Sequence, residues 1–186
     1  MTHFLELVQS RHSVRAYDSR AVDRNTIERC LEAARLAPSA CNAQPWKFTV
    51  MQDAPVIARI AEASLLPGSS MNRFVREAPV IVAVTGESPN ITSFLGSFIK
   101  RKKLFLLDIG IAAEHFCLQA AEEGLGTCML GWFNERKVKK LIGIPRRKRL
   151  YLLIATGFPA VNDEENAVHE KKRKSPDEMR CYGHYC

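Results

Sequence analysis

The sequence predicts a mixed α/β or α+β layer fold with four or five strands. Three observations lead there. The chain has 186 residues, 46% hydrophobic and 25% charged, enough for one domain with a sizeable core and too apolar for a disordered chain. Its apolar pattern switches repeatedly between helical periodicity and short dense runs, in the order helix, helix, strand, helix, strand, helix, strand, helix, strand. One of those runs, Val80–Thr85, is apolar at nearly every position, the composition of a strand buried on both faces.

Each element has its own signal. Phe4, Leu5, Leu7 and Val8 make a short helical pattern over residues 3–10. Asn25-Thr26-Ile27-Glu28 has the spacing of a capping box with Asn25 as N-cap, and Ile27, Cys30, Leu31 and Ala34 then share one helical face. Pro38 ends that helix by disfavouring helical backbone at Ala37. Phe48–Met51 reads as a strand, Pro55 as a first helical residue, and Val56–Leu66 as the helix that follows. Pro67-Gly68-Ser69-Ser70 is a loop. Residues 86–104, with Gly, Pro, Asn and a basic cluster, read as a loop or lid with some helix. Asp108–Glu123 carries the strongest helical stripe, Ile109, Ala112, Ala113, Phe116, Cys117 and Ala120, stopped by Gly124. Its alanines admit a close helix neighbour, from this chain or a second subunit. Thr127–Leu130 is a strand, Asn134 caps a short helix through Ile142, and Leu150–Thr156 is another buried strand. Beyond Pro159 the chain is polar until Ser175, so that segment wraps another surface or stays loose.

Charge and cysteines narrow the function classes. The net charge is +7, with residues 160–186 near −1 and the rest near +8. Much of it lies in Lys100–Lys103, Arg136–Lys140 and Arg146–Arg149, runs that suit solvated faces or an anionic ligand. Neither an aromatic-interleaved basic strand nor a recognition helix accompanies them, so no nucleic-acid partner is expected. No apolar run approaches the ~18–20 residues of a membrane span, and no membrane partner is expected. Glu6, Gln9 and Arg11 interrupt the N-terminus too early for a signal peptide, which points to a cytoplasmic address. The six cysteines then read as reduced thiols, packed mostly as small apolar groups. Cys181, His184 and Cys186 are poorly spaced as metal ligands, and no metal is expected.

Three clusters look chemical. Arg11-His12-Ser13-Val14-Arg15 offers two guanidinium forks and a hydroxyl with no acid in the run; it suits an anion, or a solvated turn. Ala37–Trp46 follows a helix end with small residues and two amides, Asn42 and Gln44, able to read a heterocycle's edge or to cap an ordinary loop. Gly124–Phe133 joins the long helix to a strand. Its first two glycines suit a tight connection, and Gly131 would let a ligand approach the main chain. It follows a helix and enters a strand, the reverse of a dinucleotide fingerprint.

Taken together, Arg11-His12-Ser13-Val14-Arg15, Ala37-Pro38-Ser39-Ala40 with Asn42 and Gln44-Pro45-Trp46, Ala78-Pro79, the Gly124–Gly131 bend and Lys171-Lys172-Arg173-Lys174-Ser175 resemble the flavin-dependent nitroreductases over nearly the whole chain. The resemblance implies a nitroreductase-like α+β fold, with a central mixed sheet of four to five strands flanked by helices. Residues 1–159 would be a single flavin-binding domain, with 86–104 as a lid over the active site. Residues 160–186 would be an arm exchanged across a homodimer. It implies FMN at the dimer interface, held by Arg11, His12, Ser13, Arg15, Lys171 and Arg173 of one subunit. Arg11 and Arg173 would meet the phosphate, and Arg15 the N1/O2 edge, where it stabilises the reduced ring. Pro38, Ser39 and Ala40 would come from the partner subunit, with Asn42 and Gln44 nearby. Met129, Leu130 and Gly131 would line the ring through their backbone, and Asn72 would meet the pyrimidine edge. The resemblance implies no role for the cysteines; Cys41, in the cofactor loop, reads as a small filler.

The implied activity is ping-pong hydride transfer through flavin N5, from NADH or NADPH to a small acceptor such as a nitroaromatic or quinone, with no catalytic protein nucleophile. A flavin-binding or flavin-converting protein on the same scaffold, without nitroreductase turnover, is the alternative. Phe94, Phe98 and Lys100–Lys103 bear on that choice, because a closed lid leaves no room for a second substrate.

Overall fold

The architecture follows from a computed structural model that describes residues 2–65, 68, 70–87, 103–161 and 171–185. Six helices and four strands are seen among them: α1 His3–Ser10, α2 Arg24–Arg35, β1 Trp46–Met51, α3 Ala54–Ser64, β2 Val80–Gly86, α4 Leu104–Glu122, β3 Gly126–Leu130, α5 Glu135–Leu141, β4 Leu150–Gly157 and α6 Pro176–Met179. The fold is α+β. The strand order is β1-β2-β4-β3 and every pair of named strands is antiparallel. The expected mixed sheet is therefore corrected: among the described residues parallel pairing is confined to one isolated bridge, Ser13 with Thr127.

The all-apolar run of β2 is explained by its place beside β4 in the middle of the sheet. Side chains alternate across a strand. Ile81 and Ala83 join Ile57, Ile60, Val75 and Val138 on one face. Val80, Val82 and Val84 join Ile27, Cys30, Ile109 and Phe116 on the other. Each fully buried Val or Ile contributes about 1.5–3 kcal/mol relative to exposure, so both faces hold the sheet. Helices α3 and α5 cover the first face, and α2 and α4 the second. The alanines of α4 serve α2, a neighbour in the chain.

Helix starts differ from expectation in two places. The cap of α2 is Asp23, whose carboxylate accepts from the Asn25 and Thr26 amides, not Asn25. An acid two residues earlier outcompetes the amide because it also meets the positive helix end. Helix α4 begins at Leu104, one turn before Asp108, so Asp108 lies inside the helix. At 19 residues α4 is also long and apolar enough for a membrane span, contrary to the expectation that no segment is. Seven of its residues are buried inside the protein, the environment of a core helix. Asn134 caps α5 as expected, accepting from the Lys137 amide at 3.0 Å. The lid expectation over 86–104, with Phe94, Phe98 and most of Lys100–Lys103, lies largely outside the described residues, as does the arm over 162–170.

The reduced-thiol expectation holds for Cys30, Cys41, Cys117 and Cys128 and is corrected at Cys181, which is disulfide-bonded. Burial raises the Cys30 and Cys117 thiols to about 12, so both are inert packing groups.

Candidate functional site

After α1 the chain runs extended over residues 11–17. Alternation buries Val14 and leaves Ser13 and Arg15 exposed. The Val14 amide donates to the Thr127 carbonyl at 3.0 Å. Gly126 permits that approach, since a Cβ there would lie 2.4 Å from Val14 Cγ2. The Tyr17 hydroxyl is shared between the carbonyls of Val14 (3.0 Å) and Ala155 (3.1 Å), fixing the segment to β4. Arg15 Nη1 donates to the Ser13 carbonyl at 3.2 Å, and His12 Nδ1 lies 3.0 Å from the Ser10 carbonyl. Arg11 and His12 border a cleft of about 150 Å³ whose other wall includes Gly124, Gly126 and Thr127.

Arg11 has an acidic partner that the local run did not reveal: its Nε sits 3.1 Å from Glu114 on α4. Lys171 returns to the same place from the chain end. Its Nζ donates to the Val8 carbonyl at 2.7 Å and to the Arg11 carbonyl. Burial, and then the neighbouring cations Arg11 and Arg173, hold the Lys171 amine below its ordinary 10.5. Three cations are thus gathered with Glu114 as the acid among them, an arrangement that a bound dianion would relieve.

The 38–44 loop is built differently. Ser39 is extended, and Ala40–Asn42 form a single 3₁₀ turn. Cys41, Asn42 and Gln44 have φ of 53°, 51° and 44°. Left-handed backbone costs a non-glycine residue about 1–3 kcal/mol. Ser39 Oγ accepts from the Gln44 amide at 3.0 Å, Gln44 Nε2 donates to Asn42 Oδ1 at 2.9 Å, and Asp108 Oδ1 accepts from the Ala40 amide at 3.2 Å. Cys41 is exposed, so its expected role as a filler is corrected.

Among the described residues the fourth non-glycine with positive φ is Asn72, at 70°. Its buried amide nitrogen donates to the carbonyls of Ser64 (3.0 Å) and Trp132 (2.9 Å), tying α3 to the turn after β3. Asn72 is thus first a latch, and only its oxygen is left to meet a ring edge. Leu130 points into the core, Met129 is half-buried, and Gly131 is exposed, with nothing within 4 Å of a Cβ built there.

The expected residues therefore fall into two groups. Arg11–Arg15, Lys171 and Arg173 gather around the start of β3, with Asn72 latched to the turn at its end. Pro38, Ser39, Ala40, Asn42 and Gln44 form a separate loop anchored on the first turns of α4. Sequence reasoning missed Asp108, Glu114 and Thr127. Asp108 had a readable signal, an acid four residues before Ala112 and so on the buried face of the helix.

The model of the nitroreductase family matches residues 8–158. The chain is 29% identical to an Archaeoglobus fulgidus protein named a candidate NADH dehydrogenase/NAD(P)H nitroreductase, over 96% of this chain and 97% of that one. A nitroreductase family protein of Clostridium novyi NT superposes with TM-score 0.75 at 29% identity, covering 89% of this chain and 90% of that one. An FMN-dependent nitroreductase of Clostridium difficile R20291 shares the fold, with TM-score 0.73 at 19% identity over 97% and 99%.

Proposed function

The chain belongs to the nitroreductase family, and from that premise we propose an FMN-dependent oxidoreductase. It takes reducing equivalents from NADH or NADPH and delivers them to a small acceptor such as a nitroaromatic or quinone. The observation that carries the reading is the gathering of Arg11, Lys171 and Arg173, where burial first and the two neighbouring guanidinium groups second hold the Lys171 amine below its ordinary value, a site suited to a phosphate. The donor set fits FMN: cations for the phosphate, exposed Ser13 and Arg15 beside them, and an open Gly131 backbone.

In the proposed mechanism Arg11, Lys171 and Arg173 hold the phosphate by charge-assisted bonds. Arg15 would supply a fixed cation for the N1/O2 edge, stabilising negative charge on the reduced ring. Asn42 and Gln44 would meet polar edges of the bound group, and the backbone of Met129–Gly131 would line its face. FMN, when bound, supplies the two-electron chemistry. The protein supplies position and field, and the two substrates alternate in one pocket.

The reading includes a homodimer. Helix α1 buries none of its residues, and a lone eight-residue helix is marginal in water. Phe4 is 60% exposed and Leu5 50%, and on α4 Leu107 is 64% exposed. In this reading a second copy covers these residues and supplies its 38–44 loop to the cofactor site. The proposed address is the cytoplasm.

An absorbance scan of the purified protein tests the proposal. A flavin band near ~450 nm is expected, bleached anaerobically by NADH or NADPH and restored by a nitroaromatic or quinone. Colourless protein that refuses added FMN would overturn it. Flavin that binds but is bleached only slowly by either nicotinamide would favour the alternative without turnover.

A further inference from the structure

We infer that Asp108 is a positioning residue, retained at a cost to the fold because it sets the 39–44 loop for the cofactor. The inference rests on the functional reading above and names a group that reading does not use. Asp108 is 5% exposed and lies on the buried face of α4 among Ile109, Ala112 and Ala113. Its Oδ1 accepts from the Ala40 amide at 3.2 Å. Its Oδ2 has no hydrogen-bond partner and no access to water, alone in that respect among the buried side-chain N and O atoms of the described residues. An enclosed polar atom with no partner opposes folding. For packing alone an apolar side chain of the same shape would remove that cost, so what the carboxyl adds is its bond to the Ala40 amide.

What Asp108 does hold is the turn that gathers three of the four left-handed non-glycine residues among the described residues. Ala40 opens the 3₁₀ turn and precedes the left-handed Cys41 and Asn42. Left-handed non-glycine residues persist only where their surroundings over-determine them. Ser39 Oγ and the Gln44 side chain brace the loop from within, while Asp108 anchors it to a long helix fixed on the sheet. The carboxyl thus trades core stability for a preorganised cofactor loop, as expected of a site residue rather than a packing residue.

The test compares wild type, Asp108→Leu and Asp108→Asn as full-length chains. Three readouts are taken: thermal midpoint, hydrogen exchange of the Ala40–Gln44 amides without flavin, and FMN affinity by fluorescence quenching. Leu keeps the side-chain shape and removes both oxygens; Asn keeps an oxygen for the Ala40 amide. Asp108→Leu is expected to hold or raise the midpoint, and to exchange its loop amides and release FMN on the order of tenfold more readily, the worth of one hydrogen bond to a charged group. Asp108→Asn is expected to stay within about threefold of wild type on the last two. Unchanged loop exchange in Asp108→Leu would overturn the inference. So would loosened exchange with unchanged FMN affinity, or an Asn variant no better than Leu. If Leu fails to fold, the Asn variant decides alone: tenfold losses in it contradict the assignment. Wild-type protein that refuses FMN would sink the functional reading instead, and the exchange rates would still decide whether Asp108 holds the loop.

Discussion

The 11–17 segment and the 39–44 loop both supply proposed cofactor contacts, and they are fixed in opposite ways. The first is locked into the core: Val14 is buried against Gly126, its amide joins β3, and Tyr17 ties it to β4. Its exposed residues follow from simple alternation around a buried one. The second is exposed, strained at three residues and anchored outside itself by one carboxyl. Cations that grip a phosphate gain from a rigid base. The loop proposed to meet a planar ring across a subunit boundary depends on backbone shape, and that shape is stabilised by a few specific bonds rather than by burial.

The contrast breaks most severely at Gly126. Gly126→Ala sets a methyl against Val14 and is expected to cost about 3 kcal/mol in chemical denaturation. Gly131→Ala, facing open space, is expected to cost less than about 0.5 kcal/mol. Asn72→Ala strips partners from the Ser64 and Trp132 carbonyls and is expected to cost about 2 kcal/mol in the same assay. Tyr17→Phe removes one shared donor and should cost about 1 kcal/mol. In the loop Asn42→Gly relieves a left-handed residue but removes the acceptor of Gln44 Nε2. It is expected to leave stability within about 0.5 kcal/mol of wild type while weakening FMN binding several-fold.

The smallest effect is on pH. Because the folded chain holds the Lys171 amine below 10.5, its native state binds that proton less tightly than the unfolded state. The stability this contributes is complete above the unfolded value and is lost as pH falls through the folded one. A phosphate ligand reverses the shift, so FMN binding at alkaline pH should take up protons, measurable by calorimetry in buffers of different ionisation enthalpy.

Much of this was legible in the chain. The α4 stripe, the apolar run of β2 and the Asn134 cap are local patterns whose physics acts within a few residues. The caps slipped where two candidates competed, as Asp23 did with Asn25. The candidate residues of both site segments stood out as residue types, but their fixings did not. Glu114 reaches Arg11, Asp108 reaches Ala40 and Lys171 reaches Arg11 across large separations that periodicity does not encode. The loop of Cys41, Asn42 and Gln44, with its positive φ, combines one distant anchor, Asp108 on the Ala40 amide, with bonds inside the loop, and periodicity announces neither.

The central claim, that Arg11, Lys171 and Arg173 grip a phosphate, is tested most directly by titrating the flavin-free protein with FMN and with riboflavin. Loss of the phosphate should weaken binding about a hundredfold or more, the worth of two charge-assisted bonds. Equal affinities for the two flavins would contradict the account.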